Sequence, residues 1–296
     1  MKQKKQKYNL GNLKLKNRIF LAPMHQINDI AFRLLCKKAG ASLTYTGLLN
    51  PQTRDKIYFN DKPAIQFACN STNNLKEFIK KHDKQVSLYD FNLGCPSPHA
   101  KQSKIGYFMI NNLKSIEEIL KTIKASTKKP LTIKIRKMSE QTLIQIIKLA
   151  EKYCDAIGVH PRTQPQGYSD QPDLEFARQV KKLTKLPIIY SGNINNKEQA
   201  EQMLKEFDYI MIGRASIGNP SIFSDILKNK KANKRISFQD WLKLAKKIEK
   251  NNLYFSQIKF QAINFCKGFE GAPEIRHKLS LAKTEEEILN ILKFGL

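Results

Sequence analysis

Cysteine and long apolar runs are both scarce in this sequence. Its five cysteines are an odd number and include no CxxC pair, so neither a disulfide framework nor a zinc site is indicated. Thiols that stay free are typical of a reducing compartment. No stretch approaches the length of a membrane span, and the basic N-terminus is not followed by a continuous apolar segment. We therefore expect a cytoplasmic protein with no membrane partner and no metal. As a separate prediction, we expect a monomer.

Acidic residues are also few. Asp and Glu number 26 against 52 Lys and Arg, which gives a formal net charge of +26. This excess is far more than solubility requires, and it predicts a polyanionic partner, with nucleic acid as the first candidate. A general enrichment in Lys, Ile and Asn would give the same excess, so the charge alone leaves both explanations open.

A GxGxxG turn is missing after the first apolar segment, which argues against an open doubly wound sheet. Eight short apolar segments alternate with helical patterns. They cover residues 18–22, 42–47, 64–68, 86–92, 131–136, 155–160, 186–193 and 208–215. This alternation is typical of parallel strands that are joined by helices and closed into a barrel. The sequence therefore predicts an α/β fold, an eight-stranded parallel β/α barrel of the TIM type.

Helical spacing dominates the end of the chain. Residues 237–294 follow it almost throughout, after a polar and basic segment at 228–235 that has the composition of a linker. We predict a barrel domain over residues 1–232 and a small all-helical domain over 233–296. Within the barrel, Ser115 and Glu118 have the spacing of a capping box, and Ser139 is expected to precede a helix that begins at Glu140.

The stretch DFNLGCPSP, residues 90–98, is the centre of the predicted site. A short β-prone run leads into it and ends among Asn, Gly and Pro residues, which indicates a buried strand that stops at a loop. Cys95 lies in that loop between Gly94 and Pro96, where the backbone can approach a ligand closely. A lone cysteine can also be a small buried hydrophobe, but the loop context favours a thiol at the mouth of a strand.

Polar residues and glycines gather where the predicted strands stop. They are Pro23, Met24, Gln66, Asn92, Cys95, Lys134, Arg136, His160, Arg162, Gly192, Asn193, Gly213 and Arg214. Active sites of such barrels lie at the carboxyl ends of the strands. Singly, Lys134 and His160 have ordinary structural explanations, as a lysine with a buried stem and a hydrogen-bonded core histidine. Together the set suits a flat polar heterocycle with a phosphate near the late glycines, and flavin mononucleotide (FMN) is the simplest such cofactor.

Seven segments carry a family resemblance. PMHQINDIAFR, AIQFA, DFNLGCPSP, LTIKIR, VHPRTQPQGYSDQPD, IIYSGNI and IMIGRASIGNPSIF occur in unbroken order from residue 18 to about 225. Together they resemble the tRNA-dihydrouridine synthases, flavin enzymes that reduce uridine in tRNA. The helical tail is similar in place and size to that family's RNA-binding domain.

The resemblance implies a site and a reaction. The residues expected to contact FMN are Gln66, Lys134, His160, Asn193, Gly213 and Arg214. The strand-end positions add Pro23, Met24, Asn92 and Gly192 to this cofactor-binding set. Reduced FMN is expected to give a hydride to uracil C6 while Cys95 protonates C5, which turns specific uridines of tRNA into 5,6-dihydrouridine. NADPH or NADH is the expected reductant.

Three places depart from the family pattern. Residues 104–109 contain one glycine where the family has a Gly-rich segment. Thr46 and Gly47 stand where the family has Thr-Glu, and residues 191–193 read Ser-Gly-Asn in place of Asn-Gly-Asp. We expect these changes to alter loop packing and substrate position and to leave the flavin site intact.

Basic residues are the candidates for RNA contact. Arg136 and Arg162 are expected near the uracil or a phosphate, and Lys246 and Lys247 belong to a basic stripe on a predicted helix. An ordinary solvated helix face is the alternative for that stripe. Two rival functions stay open: an FMN-barrel dehydrogenase acting on a free pyrimidine, and a tRNA-binding module without redox activity. The charge and the helical tail argue against the first rival, and Cys95 with Lys134 argues against the second.

Overall fold

A parallel β/α barrel forms the larger part of the molecule. The computed structural model describes residues 8–52, 57–167, 170–228 and 235–295. The strands of the barrel are β3 (Ile19–Leu21), β4 (Leu43–Thr44), β5 (Ala64–Phe67), β6 (Leu88–Leu93), β7 (Leu131–Arg136), β8 (Ala156–His160), β9 (Ile188–Tyr190) and β10 (Tyr209–Ile212). They pair in parallel in the order β4-β3-β10-β9-β8-β7-β6-β5.

The gap between β4 and β5 is bridged just beyond β4. Parallel bridges join Tyr45 to Ala64 and Leu49 to Phe67, and the Thr46 N–H donates to the carbonyl of Ala64 at 3.0 Å. The sheet is thus an almost closed eight-stranded barrel. The predicted TIM-type fold is confirmed, and the open doubly wound alternative is excluded.

A hairpin that the sequence analysis did not predict covers the amino end of the barrel. Its strands are β1 (Tyr8–Leu10) and β2 (Leu13–Leu15), which pair antiparallel. Leu10 is fully buried among the residues that fill the barrel interior. The Tyr209 hydroxyl at the start of β10 donates to the carbonyl of Asn9 at 2.6 Å. The hairpin therefore seals the end of the barrel that lies opposite the predicted site.

Helices follow the strands, and apart from the short α3, which buries only Ala100, they bury an apolar stripe in the core. They are α1 (Ile30–Ala39), α2 (Leu75–His82), α3 (Pro98–Gln102), α4 (Leu113–Ser126), α5 (Glu140–Tyr153), α6 (Leu174–Leu183), α7 (Lys197–Glu206) and α8 (Ile222–Lys228). The predicted start of α5 is confirmed, because Ser139 caps it by accepting the Thr142 N–H. The predicted capping box at Ser115 and Glu118 is wrong. Asn112 caps α4 by accepting the Ser115 N–H at 3.2 Å, which places Ser115 inside the first turn.

The C-terminal part is all helical. Its helices are α9 (Phe238–Glu249), α10 (Phe255–Phe265), α11 (Ala272–Leu281) and α12 (Glu285–Gly295). α11 lies within the range 237–294 that was predicted to be helical almost throughout, and Pro273 occupies its first turn, where its lack of an N–H does no harm. Residues 229–234 of the predicted linker, and with them the predicted boundary at 232 and 233, lie outside the described residues. The division into two domains stays a prediction.

The C-terminal helices pack directly onto the barrel through a buried polar contact. Asp29, which caps α1 by accepting the Phe32 N–H at 2.8 Å, also accepts from Trp241 Nε1 at 3.0 Å and from Gln261 Nε2 at 2.6 Å. Gln261 Nε2 also lies 3.0 Å from the carbonyl of Ile27. Burial raises the pKa of Asp29. The helices thus hold the loop that follows β3.

No helix in the part of the chain that the structure describes is long and apolar enough to span a bilayer.

Candidate functional site

A cavity of about 730 Å³ opens at the carboxyl ends of the barrel strands. Every residue that the sequence analysis placed at a strand end lines it, from Pro23 after β3 to Arg214 after β10. Other lining residues, among them Leu48, Leu49 and Asn50, were not predicted. They follow β4, although Asn50 before a proline is itself a sign of a strand end. The volume is within the range of cofactor and small-molecule sites.

A buried hydrogen-bonded network lies beneath the cavity and reaches it through Gln66 and Asn92. Asp90 accepts from Gln66 Nε2 at 2.6 Å and from Thr132 Oγ1 at 2.5 Å. Asn92 Nδ2 donates to Gln66 Oε1 at 2.9 Å. Register explains the arrangement, because Gln66, Asp90 and Thr132 are paired neighbours on three adjacent strands and point to the same face. Burial raises the pKa of Asp90 to about 6, against the lowering effects of its hydrogen bonds and of Lys134.

Asp90 is not among the residues predicted for the site, because those residues lie where a strand stops, whereas Asp90 lies inside β6. The alternation of Asp90 with Asn92 on one strand, and of Thr132 with Lys134 on the next, was the signal that could have found it.

Lys134 also lines the cavity. It is the register neighbour of Asn92 on the adjacent strand. Burial, opposed by the charge of Asp90 and assisted by that of Arg136, lowers the pKa of Lys134 to about 8. Its proton is therefore more easily lost than that of an exposed lysine, but it is still mostly a cation at neutral pH.

His160 is held in one tautomer. Its Nδ1 lies 2.6 Å from the carbonyl oxygen of Ser191, and because a carbonyl only accepts, Nδ1 must carry the proton. Burial, followed by the charge of Lys134, lowers the pKa of His160 to about 3. The ring is therefore neutral at physiological pH, and Nε2 is an acceptor.

Asn193 joins two of the strand ends. Its backbone is left-handed, with φ of 43°, a conformation that Asn tolerates better than most residues. Its Oδ1 accepts from Arg162 Nη2 at 2.9 Å and from Arg214 Nη2 at 2.6 Å. Asn193 stands at one of the three departures, and its amide oxygen accepts from both guanidinium groups.

Arg162 has a positioning role in this structure. Its side chain is fully buried, and besides Asn193 it contacts the carbonyl of Asp170 through Nε and Nη2. A direct contact of Arg162 with RNA or uracil stays a prediction, and so does one of Arg136, which is nearly buried and donates to the carbonyl of Thr163 at 2.8 Å.

The backbone at Gly213 is open toward the cavity. A side chain built there would first meet Ala22 Cβ at 3.6 Å and Met24 Sδ at 3.8 Å, so a ligand can approach the main chain closely. Arg214 follows it and is exposed. An exposed guanidinium next to open backbone suits a phosphate, and the amide, ammonium and imidazole groups on the other side of the cavity suit the edge of a polar ring. The donor set therefore fits FMN.

The loop that carries Cys95 is held from two sides. Asn92 Oδ1 accepts the N–H groups of Gly94 at 3.0 Å and Cys95 at 2.8 Å. On the other side, Gly106 packs against Cys95 and has a left-handed backbone, with φ of 61°. The Tyr107 N–H donates to the Cys95 carbonyl at 3.1 Å. The one glycine of segment 104–109 is thus placed where a side chain would collide with Cys95. The partly exposed thiol lies in the cavity wall, 3.4 Å from Ser97 Oγ.

The basic stripe of α9 is partly engaged in the fold. Trp241 and Ala245 are buried, while Lys246 and Lys247 are exposed, so the helix has the two faces that its pattern predicted. Lys246 forms an ion pair with Glu285 of α12. RNA contact by these lysines stays a prediction.

Known proteins resemble this chain in sequence and in fold. The family model for dihydrouridine synthase (Dus) matches residues 20–294. The chain is 29% identical over 234 residues to tRNA-dihydrouridine synthase B of Pasteurella multocida. The matched residues are 72% of this chain and 70% of that protein. It is 30% identical over 235 residues to tRNA-dihydrouridine synthase B of Pectobacterium carotovorum, covering 73% of each.

Two solved structures have a similar fold. A variant of NCR from Zymomonas mobilis superposes with a TM-score of 0.57 at 13% identity, over 81% of this chain and 96% of the other. A morphinone reductase mutant in complex with tetrahydroNAD gives a TM-score of 0.56 at 12% identity, over 79% and 93% of the two chains. At such identities the likeness concerns the barrel fold alone.

Proposed function

The chain belongs to the dihydrouridine synthase family, and from that premise we propose that it reduces specific uridines of tRNA to 5,6-dihydrouridine with FMN as its redox group. The observation that carries the proposal is the convergence of Cys95, Lys134 and His160 on one cavity in a chain of net charge +26. The barrel supplies the catalytic site and the C-terminal helices supply RNA contacts. The proposed reductant is NADPH or NADH, and the proposed location is the cytoplasm.

Four polar side chains of the cavity would hold the flavin ring. Gln66 and Asn92 offer amide N–H groups, Lys134 a cation, and His160 an acceptor nitrogen. Arg214 and the backbone at Gly213 would hold the phosphate, with Pro23, Met24, Gly192 and Asn193 completing the cavity wall. When bound, FMN would supply the hydride that uracil C6 receives. The Lys134 cation next to the ring favours negative charge there, as on a reduced flavin.

Cys95 would supply the proton. Reduction of the uracil C5=C6 bond needs a hydride at C6 and a proton at C5, and a thiol in the cavity wall can donate that proton as charge develops at C5. The two anchors of its loop, Asn92 and Gly106, keep the sulfur in the wall when the base arrives. The target base must first leave its stack to enter a cavity of this kind, which accounts for a large RNA-holding surface around it.

Separating the two half-reactions tests this function. We expect purified protein to be yellow, with FMN held non-covalently, and Cys95→Ala to leave flavin reduction by NADPH unchanged. Reoxidation of that variant by unmodified tRNA should slow roughly 100- to 10,000-fold, the usual contribution of a general acid. Cys154→Ala is the matched control, because that buried thiol lies before β8 at the opposite end of the barrel.

Each rival function predicts a different result. Protein that takes up no flavin on reconstitution would be a binding module without redox activity. Flavin reoxidised by free uracil as fast as by tRNA would indicate a free-pyrimidine dehydrogenase. Equal reoxidation in Cys95→Ala and the parent would move the acid to another group, with His99 in the cavity lining as the next candidate.

A further inference from the structure

Asp90 is a buried carboxylate that touches no ligand in the proposed reaction. Its side chain is 1% exposed, and it is not part of the cavity lining. Burying a carboxylate is unfavourable unless hydrogen bonds compensate it. Asp90 has two such bonds, from Gln66 Nε2 and Thr132 Oγ1. Of the two side chains that donate to Asp90, Gln66 lines the cavity and Thr132 does not.

The chain of hydrogen bonds from Asp90 to Cys95 has one direction. An ionised carboxylate only accepts, so Gln66 must present its amide nitrogen to Asp90 and its oxygen to Asn92. Asn92 must then present its nitrogen to Gln66 and its oxygen to the loop. The loop N–H groups of Gly94 and Cys95 only donate, so the other end of the chain agrees. A group that only accepts and groups that only donate thus bracket two amides that could otherwise flip.

This direction leaves donors for the cavity. Each amide nitrogen has two hydrogens, and these hydrogen bonds use one hydrogen of Gln66 and one of Asn92. Both side chains line the cavity. In the opposite direction Gln66 would offer its oxygen to Asp90, which is a repulsive contact between two acceptors.

We propose that Asp90 is a positioning residue whose carboxylate orients the Gln66 amide, so that Gln66 and Asn92 present N–H groups to the acceptor edge of the bound heterocycle and the Cys95 loop is anchored. The identity of that heterocycle as FMN rests on the proposed function. The orientation of the amides and the anchoring of the loop do not.

A double-variant cycle tests whether Asp90 acts through Gln66. FMN dissociation constants would be measured by fluorescence for the full-length parent, Asp90→Ala, Gln66→Ala and the double variant, with Asp90→Asn as the isosteric version. Asp90→Ala should weaken FMN binding about tenfold, the effect of one lost or misdirected hydrogen bond. In the Gln66→Ala background the same change should have almost no effect, because the group it orients is gone.

A second readout does not involve the flavin. In the cofactor-free protein, Cys95 is the one partly exposed cysteine among the five described, since the other four are buried. Its rate of alkylation by iodoacetamide should rise several-fold in Asp90→Ala, because the loop loses part of its anchor. Unfolding transitions measured in parallel would show that each variant is folded.

The outcomes separate this proposal from the proposed function. Equal weakening by Asp90→Ala in both backgrounds would mean a direct electrostatic effect, through Lys134 for example, and would overturn the positioning role. Unchanged FMN affinity together with unchanged alkylation in Asp90→Ala would overturn it as well. If the parent binds no FMN, the proposed function fails, and the alkylation rates in the same four variants still decide the role of Asp90.

Discussion

Replacing Gly106 by alanine tests whether the loop under Cys95 requires a glycine. The backbone there is left-handed, with φ of 61°. A Cβ atom at this position would lie 2.8 Å from the carbonyl oxygen of Cys95 and 3.0 Å from its Cβ. The first contact is with backbone, which cannot rotate away as a flexible side chain can. The loop that carries the thiol must therefore move.

The expected loss has two parts. A left-handed backbone costs alanine about 1 kcal/mol, and overpacking against the loop adds about 1 to 3 kcal/mol. Gly271→Ala separates them, because Gly271 also has a left-handed φ, of 67°, but nothing lies within 4 Å of a Cβ built there. We expect Gly271→Ala to lose about 1 kcal/mol of the free energy of unfolding and Gly106→Ala about 2 to 4 kcal/mol.

Chemical denaturation of the two variants and the parent measures this difference. Displacement of the Cys95 loop should also change the alkylation rate of Cys95 in Gly106→Ala, whereas Gly271→Ala should keep the rate of the parent. If the two variants lose the same free energy and alkylate at the parent rate, the contact between Gly106 and Cys95 does not hold the loop, and the reasoning is refuted.

Three further predictions concern charge. Burial lowers the pKa of Lys134 from 10.5 to about 8, so between these pH values the unfolded chain binds more protons than the folded protein. The free energy of unfolding of the cofactor-free protein should therefore rise with pH across that window. Lys134→Met should remove this rise in a pH series of denaturation curves. Asp61→Ala strands the buried guanidinium of Arg33, 2.9 Å away, and should lose about 3 to 5 kcal/mol of unfolding free energy, whereas a loss below about 1 kcal/mol would mark the pair as unimportant. In salt titrations of tRNA binding, Lys247→Gln should flatten the slope of log affinity against log salt by about 0.7 to 0.9. Lys246→Gln should change the slope less, because Lys246 already has a carboxylate partner in the parent protein. If both variants keep the slope of the parent, the RNA binds elsewhere.

The strands and their ends were predictable because both depend on local pattern. Period and length separate β6 and β7 from the helices around them, and the rule for parallel barrels then brings their carboxyl ends to one cavity. Cys95, Lys134 and His160 could be selected on that basis. The hairpin of β1 and β2 has only three residues in each strand, too few for a periodic signal.

Contacts between distant residues were not predictable from one sequence. Asp90 gains its importance from the register of three strands, which sets Gln66 and Thr132 beside it. Lys246 meets a carboxylate 39 residues further along the chain. No local sequence pattern predicts either pairing, since each depends on how whole helices and strands pack.

The contact of Asp29 with Trp241 and Gln261 couples the stability of the C-terminal helices to that of the barrel. A chain that ended before Ser237 would leave the Asp29 carboxylate with the Phe32 N–H but without the indole and amide N–H groups that it also accepts, and the loss of hydrogen bonds to a carboxylate is destabilising. The apolar face of α1 would lose its cover in the same step, because Trp241 is fully buried in the core it shares with Leu35. The helices therefore support the loop after β3, and melting them removes the hydrogen bond from Gln261 to the carbonyl of Ile27, a residue that lines the cavity.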